Sequence, residues 1–425
     1  MPQENVSSET CRPWSNQPDY VLKMASQTLL AFGKLGALPA GPLATLADRV
    51  ADYFASNREG PDLLVGVLPF DPEMSACLIQ PARVVHIKGA YDLSQTFGSD
   101  EVGVDRITDI SADPTPIMFM KAVADALSVI DRPHASVRKI VLSRSLKVAA
   151  MNHLHVGRLL RKLTADESVT VFMAPLPAKE GRDRVILGAT PELLLEKNGT
   201  NIASHPLAGS AKRNREPNID RQRAEALRSS AKDRQEHAIV VESILDVLSP
   251  FCRQLVAERM QPLSTSSMWH LGTRINGKLK DTGISATQLL ALLHPTPAVC
   301  GSPRSAALEL IRNLEFRPRD FYTGAVGWCD AAGDGRWYLS IRCAEIAGRE
   351  ARLYAGAGIV PGSTPAGELA ETTAKFTAML SAFGAEGETT CPDQQDFAEP
   401  TNIHVLRRCQ NSGLLDHGTS ENPTL

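Results

Sequence analysis

The chain has 425 residues, enough for one large domain or up to three small ones. Its 45 basic and 48 acidic residues leave a formal net charge of −3, which excludes a global field drawing it to nucleic acid or to an anionic membrane. Eight scattered cysteines show no C-x-x-C or metal-ligand spacing, and no apolar run nears membrane-spanning length, so the composition is that of a cytoplasmic globular protein.

In chain order, residues 1–17 are polar and read as disordered. Val21–Phe32 reads as a helix, and Pro42–Ser56 as an amphipathic helix with apolar residues at Leu46, Val50 and Phe54. Leu63–Phe70 and Ala82–Ile87 read as buried strands, and residues 88–113 as irregular and charged. Pro116–Ile130 and His153–Thr164 read as helices, Val169–Ala174 as a strand. Lys139–Arg144 is a short apolar strand flanked by bases, and a lysine at its mouth is on its own most simply a snorkelling surface residue. Cys77, Cys300, Cys329 and Cys343 lie in apolar surroundings and read as small buried hydrophobes.

Val185–Leu195 is an apolar run interrupted by Gly188 and Pro191, with Glu192 its only charge. Buried among Leu187, Leu193 and Leu194, that carboxyl would be raised in pKa, as suits a general acid; an exposed turn glutamate is the alternative. Ser204–Ser210 reads as a turn of small residues. A single long helix is expected from Ile219 to Leu248, charged in its first half and amphipathic in its second, with Glu236 at the junction. Thr287–Leu293 reads as a helix leading into a stiff loop of three prolines, 294–304. Taken singly, His270 and His294 read as structural histidines.

Gly324–Asp330, Trp337–Ile346 and Arg352–Ile359 read as a β-meander, whose alternation puts Arg342 opposite Trp337, Leu339 and Ile341, on a solvent face or in a cleft. The last strand leads into a helix with Thr364 as N-cap and Pro365 at its first position, ending near Gly384. On it Glu368, Glu371 and Lys375 share a face, which admits either a joint cation and anion site or a solvated face with a Glu371–Lys375 pair. Gly356 and Gly358 are no dinucleotide fingerprint, because Pro361 stands where a third glycine is required. Residues 386–425 are polar and read as a tail.

Nine stretches taken together resemble the chorismate-utilising family, which includes anthranilate, aminodeoxychorismate, salicylate and isochorismate synthases. They are KIVLSR (139–144), LGATPELLL (187–195), HPLAGSAKR (205–213), KDRQEH (232–237), MWHL (268–271), LLHPTPAVCG (292–301), GAVGWCD (324–330), IRCAEI (341–346) and AGAGIVPGSTPAGELAET (355–372). The likeness runs from Val137 to Gly384, and more weakly back to about residue 20. It is strongest to the isochorismate-forming members. Lys139 matches their water-activating lysine. Ala208 replaces the nucleophilic lysine of aminodeoxychorismate synthases, and Ala298 stands where salicylate synthases have threonine. Two positions depart from the isochorismate-forming pattern: Val299 replaces leucine, and Tyr322 replaces phenylalanine, as in salicylate synthases.

The resemblance implies an α+β fold, a single large chorismate-binding domain over 18–385 with two antiparallel β-sheet layers in the centre and helices outside. It implies that water adds at C2 of chorismate while the C4 hydroxyl leaves, with a neutral Lys139 as base and a protonated Glu192 as acid. Mg²⁺ is expected on Glu236 and Glu371, with Glu368 as an outer ligand. Arg342 and Tyr322 are expected to hold the enolpyruvyl carboxylate. Backbone near Gly209 and Gly356, with Lys375, would complete the carboxylate contacts, and Ser210, His270, Ala298 and Val299 would line the site. Chorismate is the expected partner of a monomeric enzyme feeding siderophore or salicylate biosynthesis. A salicylate synthase, or a catalytically dead chorismate-binding paralogue, are the alternatives.

Overall fold

Strands buried on both faces make the centre of the molecule. In Leu63–Leu68, Leu63, Val65 and Val67 enter one core cluster while Leu64 and Leu68 enter another. Thr170–Lys179 does the same, with Val171 and Met173 on one side and Phe172, Ala174 and Leu176 on the other. Side chains alternate across a strand, so a two-sided core turns the sequence into a continuous apolar run.

The structure is a computed structural model that describes residues 17–56, 59–98 and 105–385, all within one compact unit. The expectations for 1–16 and 386–425 lie outside the described residues. Among the described residues an antiparallel ten-stranded sheet and an antiparallel nine-stranded sheet are joined by a third sheet of three strands. The ten-stranded sheet runs Gly301–Ser302, Lys139–Ala150, Glu350–Ile359, Cys343–Ala347, Arg182–Thr190, Thr170–Lys179, Tyr20–Lys23, Gln27–Phe32, Arg83–Lys88, with Ile107–Asp113 also paired to Lys139–Ala150. The nine-stranded sheet runs Cys252–Ala257, Ile275–Leu279, Asn201–His205, Leu193–Asn198, Gly335–Leu339, Ala325–Asp330, Leu63–Leu68, Cys77–Gln80, Gly36–Ala37. Leu22, Val65, Phe172 and Val326 belong to one cluster drawn from both sheets, which therefore pack face to face. Helices Val156–Leu163 and Pro365–Phe383 cover the outer face of the larger sheet; Leu46–Ser56, Ala231–Leu248 and Ala286–Leu293 cover that of the smaller. The fold is α+β, with antiparallel layers inside and helices outside. No helix among the described residues is long and apolar enough to cross a membrane.

Several local expectations are corrected. Val21–Phe32 is not a helix but a hairpin of Tyr20–Lys23 and Gln27–Phe32. Val21 and Phe32 face one core and Leu22 and Leu29 the other, a two-sided burial that mimics helical apolar density. Arg83–Lys88 is a half-exposed edge strand rather than a buried one, and the stretch 88–113 contributes the helix Ser94–Phe97 and the strand Ile107–Asp113. Cys77 is only partly buried, whereas Cys300, Cys329 and Cys343 are in the core. The turn at Ser204–Ser210 is two strands, Asn201–His205 and Leu207–Lys212, separated by Pro206, which has no amide to donate. The 294–304 loop also carries the two-residue strand Gly301–Ser302, and the helix Arg304–Leu314 follows. Pro116–Ile130 and the Thr364-capped helix Pro365–Phe383 form as expected.

The long helix from Ile219 to Leu248 is broken into Pro217–Ser229 and Ala231–Leu248. Ser230 takes an extended conformation (ψ 118°) between them, and its hydroxyl accepts from the Asp233 amide at 3.2 Å. That serine caps the second helix and fixes where Glu236 emerges. Ser230→Ala should cost about 1 kcal/mol of unfolding free energy in urea titration with an unchanged m value.

Candidate active site

Two antiparallel segments pass together from one sheet to the other. Arg182–Thr190 pairs with Cys343–Ala347 in the larger sheet, and Leu193–Asn198 pairs with Gly335–Leu339 in the smaller. The expected meander is therefore split between the layers, and its middle strand is interrupted at residues 340–342. The break has local causes. Arg342 has a left-handed φ of 50°, and Ser340 is tied by its hydroxyl to the Phe321 carbonyl at 2.5 Å. Gly188 admits the close approach, since a Cβ there would lie 2.6 Å from the Arg342 carbonyl oxygen. Residues 191–192 on one segment and 340–342 on the other are the crossing points, so Glu192 and Arg342 come to border one pocket.

That pocket has a volume of about 60 Å³ and brings together Glu192, Gly209, Ser210, Glu236, His270, Ala298, Val299, Tyr322, Arg342 and Lys375. The remaining expected residues stand just behind its walls. Lys139 is fully buried with Nζ 3.1 Å from Glu236 Oε1. Glu371 Oε1 accepts from Lys375 Nζ at 2.6 Å, and the same ammonium donates to the Gly356 carbonyl at 2.9 Å. Gly356 thus presents a carbonyl to Lys375, and its missing Cβ, which would sit 3.0 Å from Tyr322 Oη, leaves room for that phenol. Glu368 is further out, one turn from Glu371, paired to Lys232 at 2.6 Å. A larger cavity of about 510 Å³ adjoins the pocket and shares Pro191, His270 and Arg342 with it.

Burial dominates the electrostatics. It pushes the Glu192 carboxyl up to about 8, against the Leu207 amide, which donates to Oε1 at 3.3 Å, and against the charges of Lys139, Arg342 and Lys375. His270 is held well below its ordinary value by burial and then by Arg342, so the neutral ring can accept from Arg342 Nη2 at 3.3 Å. Burial and the Glu371 charge raise Glu368. Burial is also the largest influence on Glu371 and raises it, but Lys375, Lys232 and the Ser210 hydroxyl together leave that carboxyl below its usual range. The donors here are hard carboxylate oxygens, and the Glu371 charge disfavours a second charge on Glu368, which suits an oxygen-seeking divalent cation. Among the described residues no three acidic, histidine or cysteine side chains already converge as a preformed metal cluster.

Two contributors were not anticipated. Lys232 lies one helical turn before Glu236, a spacing visible in KDRQEH, yet it reads there as part of a solvated charge run. Gly358 sits in strand opposite Val141, where a Cβ would be 2.0 Å from Glu236 Oε1; in the sequence it reads only as part of the Arg352–Ile359 strand and of a glycine pair that is no dinucleotide fingerprint.

A family model described as chorismate binding enzyme matches residues 92–384. The isochorismate synthase DhbC of Bacillus subtilis is 40% identical over 378 residues, covering 86% of this chain and 94% of its own length. The vibriobactin-specific isochorismate synthase of Vibrio cholerae is 35% identical over 368 residues, covering 85% and 90%. The crystal structure of DhbC from Bacillus anthracis superposes with a TM-score of 0.79 at 36% identity, covering 87% of this chain and 97% of that one.

The Glu192 carboxyl rises in the folded state from an ordinary 4.5 to about 8. The stability it contributes is therefore full below about pH 4.5 and lost as pH rises through about 8. Glu192→Gln should accordingly melt progressively higher than the wild type as pH goes from 5 to 9. A pH-independent difference in melting temperature would contradict the burial-raised carboxyl.

Proposed function

The chain belongs to the chorismate-binding enzymes, and we propose that it is an isomerase turning chorismate into isochorismate, with Lys139 as base and Glu192 as acid. The observation that carries this reading is a carboxyl in the pocket wall that burial pushes up to about 8, with a buried lysine just behind the wall, 3.1 Å from Glu236. Hydroxide is a poor leaving group and water a poor nucleophile, so the exchange of hydroxyl from C4 to C2 needs a proton taken on one side and given on the other. Lys139 removes the proton of the water that adds at C2. Glu192 delivers its proton to the C4 oxygen, which departs as water. One water enters and one leaves, and the product is an isomer of the substrate.

Arg342 holds the enolpyruvyl carboxylate, with Tyr322 beside it, and the neutral His270 ring steadies the guanidinium. Lys375, held by the Gly356 carbonyl, and the backbone around Gly209 receive the ring carboxylate, with Ser210, Ala298 and Val299 closing the walls. Glu236 and Glu371 would hold Mg²⁺, with Glu368 behind them through water. When bound, the ion supplies positive charge to the ring carboxylate and fixes its pose. The raised Glu368 carboxyl, pushed up by burial and then by the Glu371 charge, supports this assignment.

Residues 18–385 carry the activity on this reading, and the enzyme is a cytoplasmic monomer without nucleic-acid or membrane partners, consistent with a net charge of −3. Its product feeds siderophore or salicylate biosynthesis; one relative is vibriobactin-specific by name. A second reading rests on Val299 and Tyr322, both in the pocket wall. These are the two positions that depart from the isochorismate-forming pattern, and Tyr322, the residue salicylate synthases carry there, is the one that favours some lyase activity releasing pyruvate.

Purified protein incubated with chorismate and Mg²⁺ should yield isochorismate by chromatography; salicylate with pyruvate would shift the assignment to the second reading, and no product would sink both. Lys139→Ala and Glu192→Gln should each lower kcat by about 10²–10⁴-fold with the fold retained. Near-wild-type rates in either variant would remove the acid–base assignment. Excess chelator should abolish turnover and Mg²⁺ restore it; persistence in chelator would remove the metal role.

A further inference from the structure

The strand carrying Lys139 has a gap along one edge. Gly301–Ser302 pairs with it only at Lys139 and Ile140, the Cys300 carbonyl takes the Val141 amide at 2.8 Å, and Ile107–Asp113 resumes pairing at Ser145. Between these stretches two side chains stand in for a strand. Arg319 Nη2 donates to the Val141 carbonyl at 2.6 Å, and Glu315 Oε1 accepts from the Ser143 amide at 2.8 Å. The two residues are themselves joined by a buried ion pair at 2.5 Å.

The same guanidinium reaches across the pocket wall. Its Nη1 donates to the Val299 carbonyl at 2.7 Å and to the Thr323 hydroxyl at 3.3 Å, while the Phe70 ring lies 4.2 Å from Cζ. The Arg319 carbonyl accepts from the Tyr322 amide at 2.9 Å. Val141, Val299, Tyr322 and Thr323 all line the pocket, and Lys139 precedes Val141 by two residues on the same strand face. One buried side chain thus fixes the spacing between the strand bearing the proposed base and the wall bearing both residues that depart from the isochorismate-forming pattern.

We infer that Arg319, backed by Glu315, is a positioning residue that holds Lys139 in register with the Val299–Tyr322 wall and so governs both turnover and the fate of the product. This rests on the isomerase reading above. Only a planar fork with donors on several nitrogens can serve two carbonyls and a carboxylate at once; a lysine ammonium offers all its donors from one point. A buried ion pair of this kind stabilises little compared with an apolar substitute, so its use here is geometric.

The test is Arg319→Lys, which keeps the charge facing Glu315, compared with wild type for kcat, KM for chorismate, pyruvate release and melting temperature. Wild-type conversion of chorismate is measured first and reports on the isomerase reading itself. The expected result is a kcat lowered about 10²-fold, as for a displacement near 1 Å, a KM within about threefold, and a larger share of pyruvate among the products. A kcat within about threefold of wild type, or a loss matched by the loss of folded protein, overturns the inference. Should Arg319→Lys not fold, Glu315→Gln leaves the Arg319–carbonyl bonds in place. It should lower kcat with KM unmoved and speed hydrogen exchange at the Ser143 amide, and an unchanged kcat in that folded variant overturns the inference equally.

Discussion

The paired passage of two strands between the sheets is the constraint on which the site depends. Neither segment could cross alone without leaving unpaired backbone in the core, where each unmatched group is costly. Crossing together, they stay hydrogen-bonded before and after the step, and only the short crossing stretches leave the ladders. Those stretches carry Glu192 and Arg342, whose side chains reach the pocket because the backbone there is no longer pleated into either sheet. The acid of the proposed reaction and the proposed anchor for a substrate carboxylate are products of one topological event.

Around that event the protein collects charge in pairs. Lys232 with Glu368 and Lys375 with Glu371 each bring a helix carboxylate against a lysine; Lys139 also lies against Glu236, but the proposed reaction uses it as the neutral amine. Removing such charges from water is expensive, and a partner close by offsets the cost only when both are present. Glu192 is the exception, with no such ion pair, and its carboxyl stays protonated at neutral pH. This contrast separates the group suited to give a proton from the groups suited to hold positive charge.

The sequence revealed the chemistry more readily than the path of the chain. Glu192 among leucines is legible as a buried acid because burial follows from its neighbours, and the helix at Pro365 is legible because cap and proline are local signals. The hairpin at Tyr20–Phe32 was not legible, since a strand with two buried faces and a buried helix look alike over a short apolar run. The interruption at Ser340–Arg342 also escaped, because nothing in WYLSIRCA marks a positive φ at arginine; its partners, Phe321 and Gly188, are distant in sequence. Arg319 shows the same limit. Its bonds to Val141 and Val299 exist only once three separate segments have folded together.

The paired crossing also limits how such a protein can diversify. Inserting or deleting one residue at 191–192 or 340–342 would shift the register of a strand against its neighbours in both layers, turning core side chains outward on two faces at once. Change at these positions is confined to replacement of one side chain by another at constant length. Drift in length is free to accumulate in surface connections such as Gly181 and Gly348, where an added Cβ meets at most an ordinary contact. The pocket's outline is therefore held by the counting of residues, and its specificity is left to their identity.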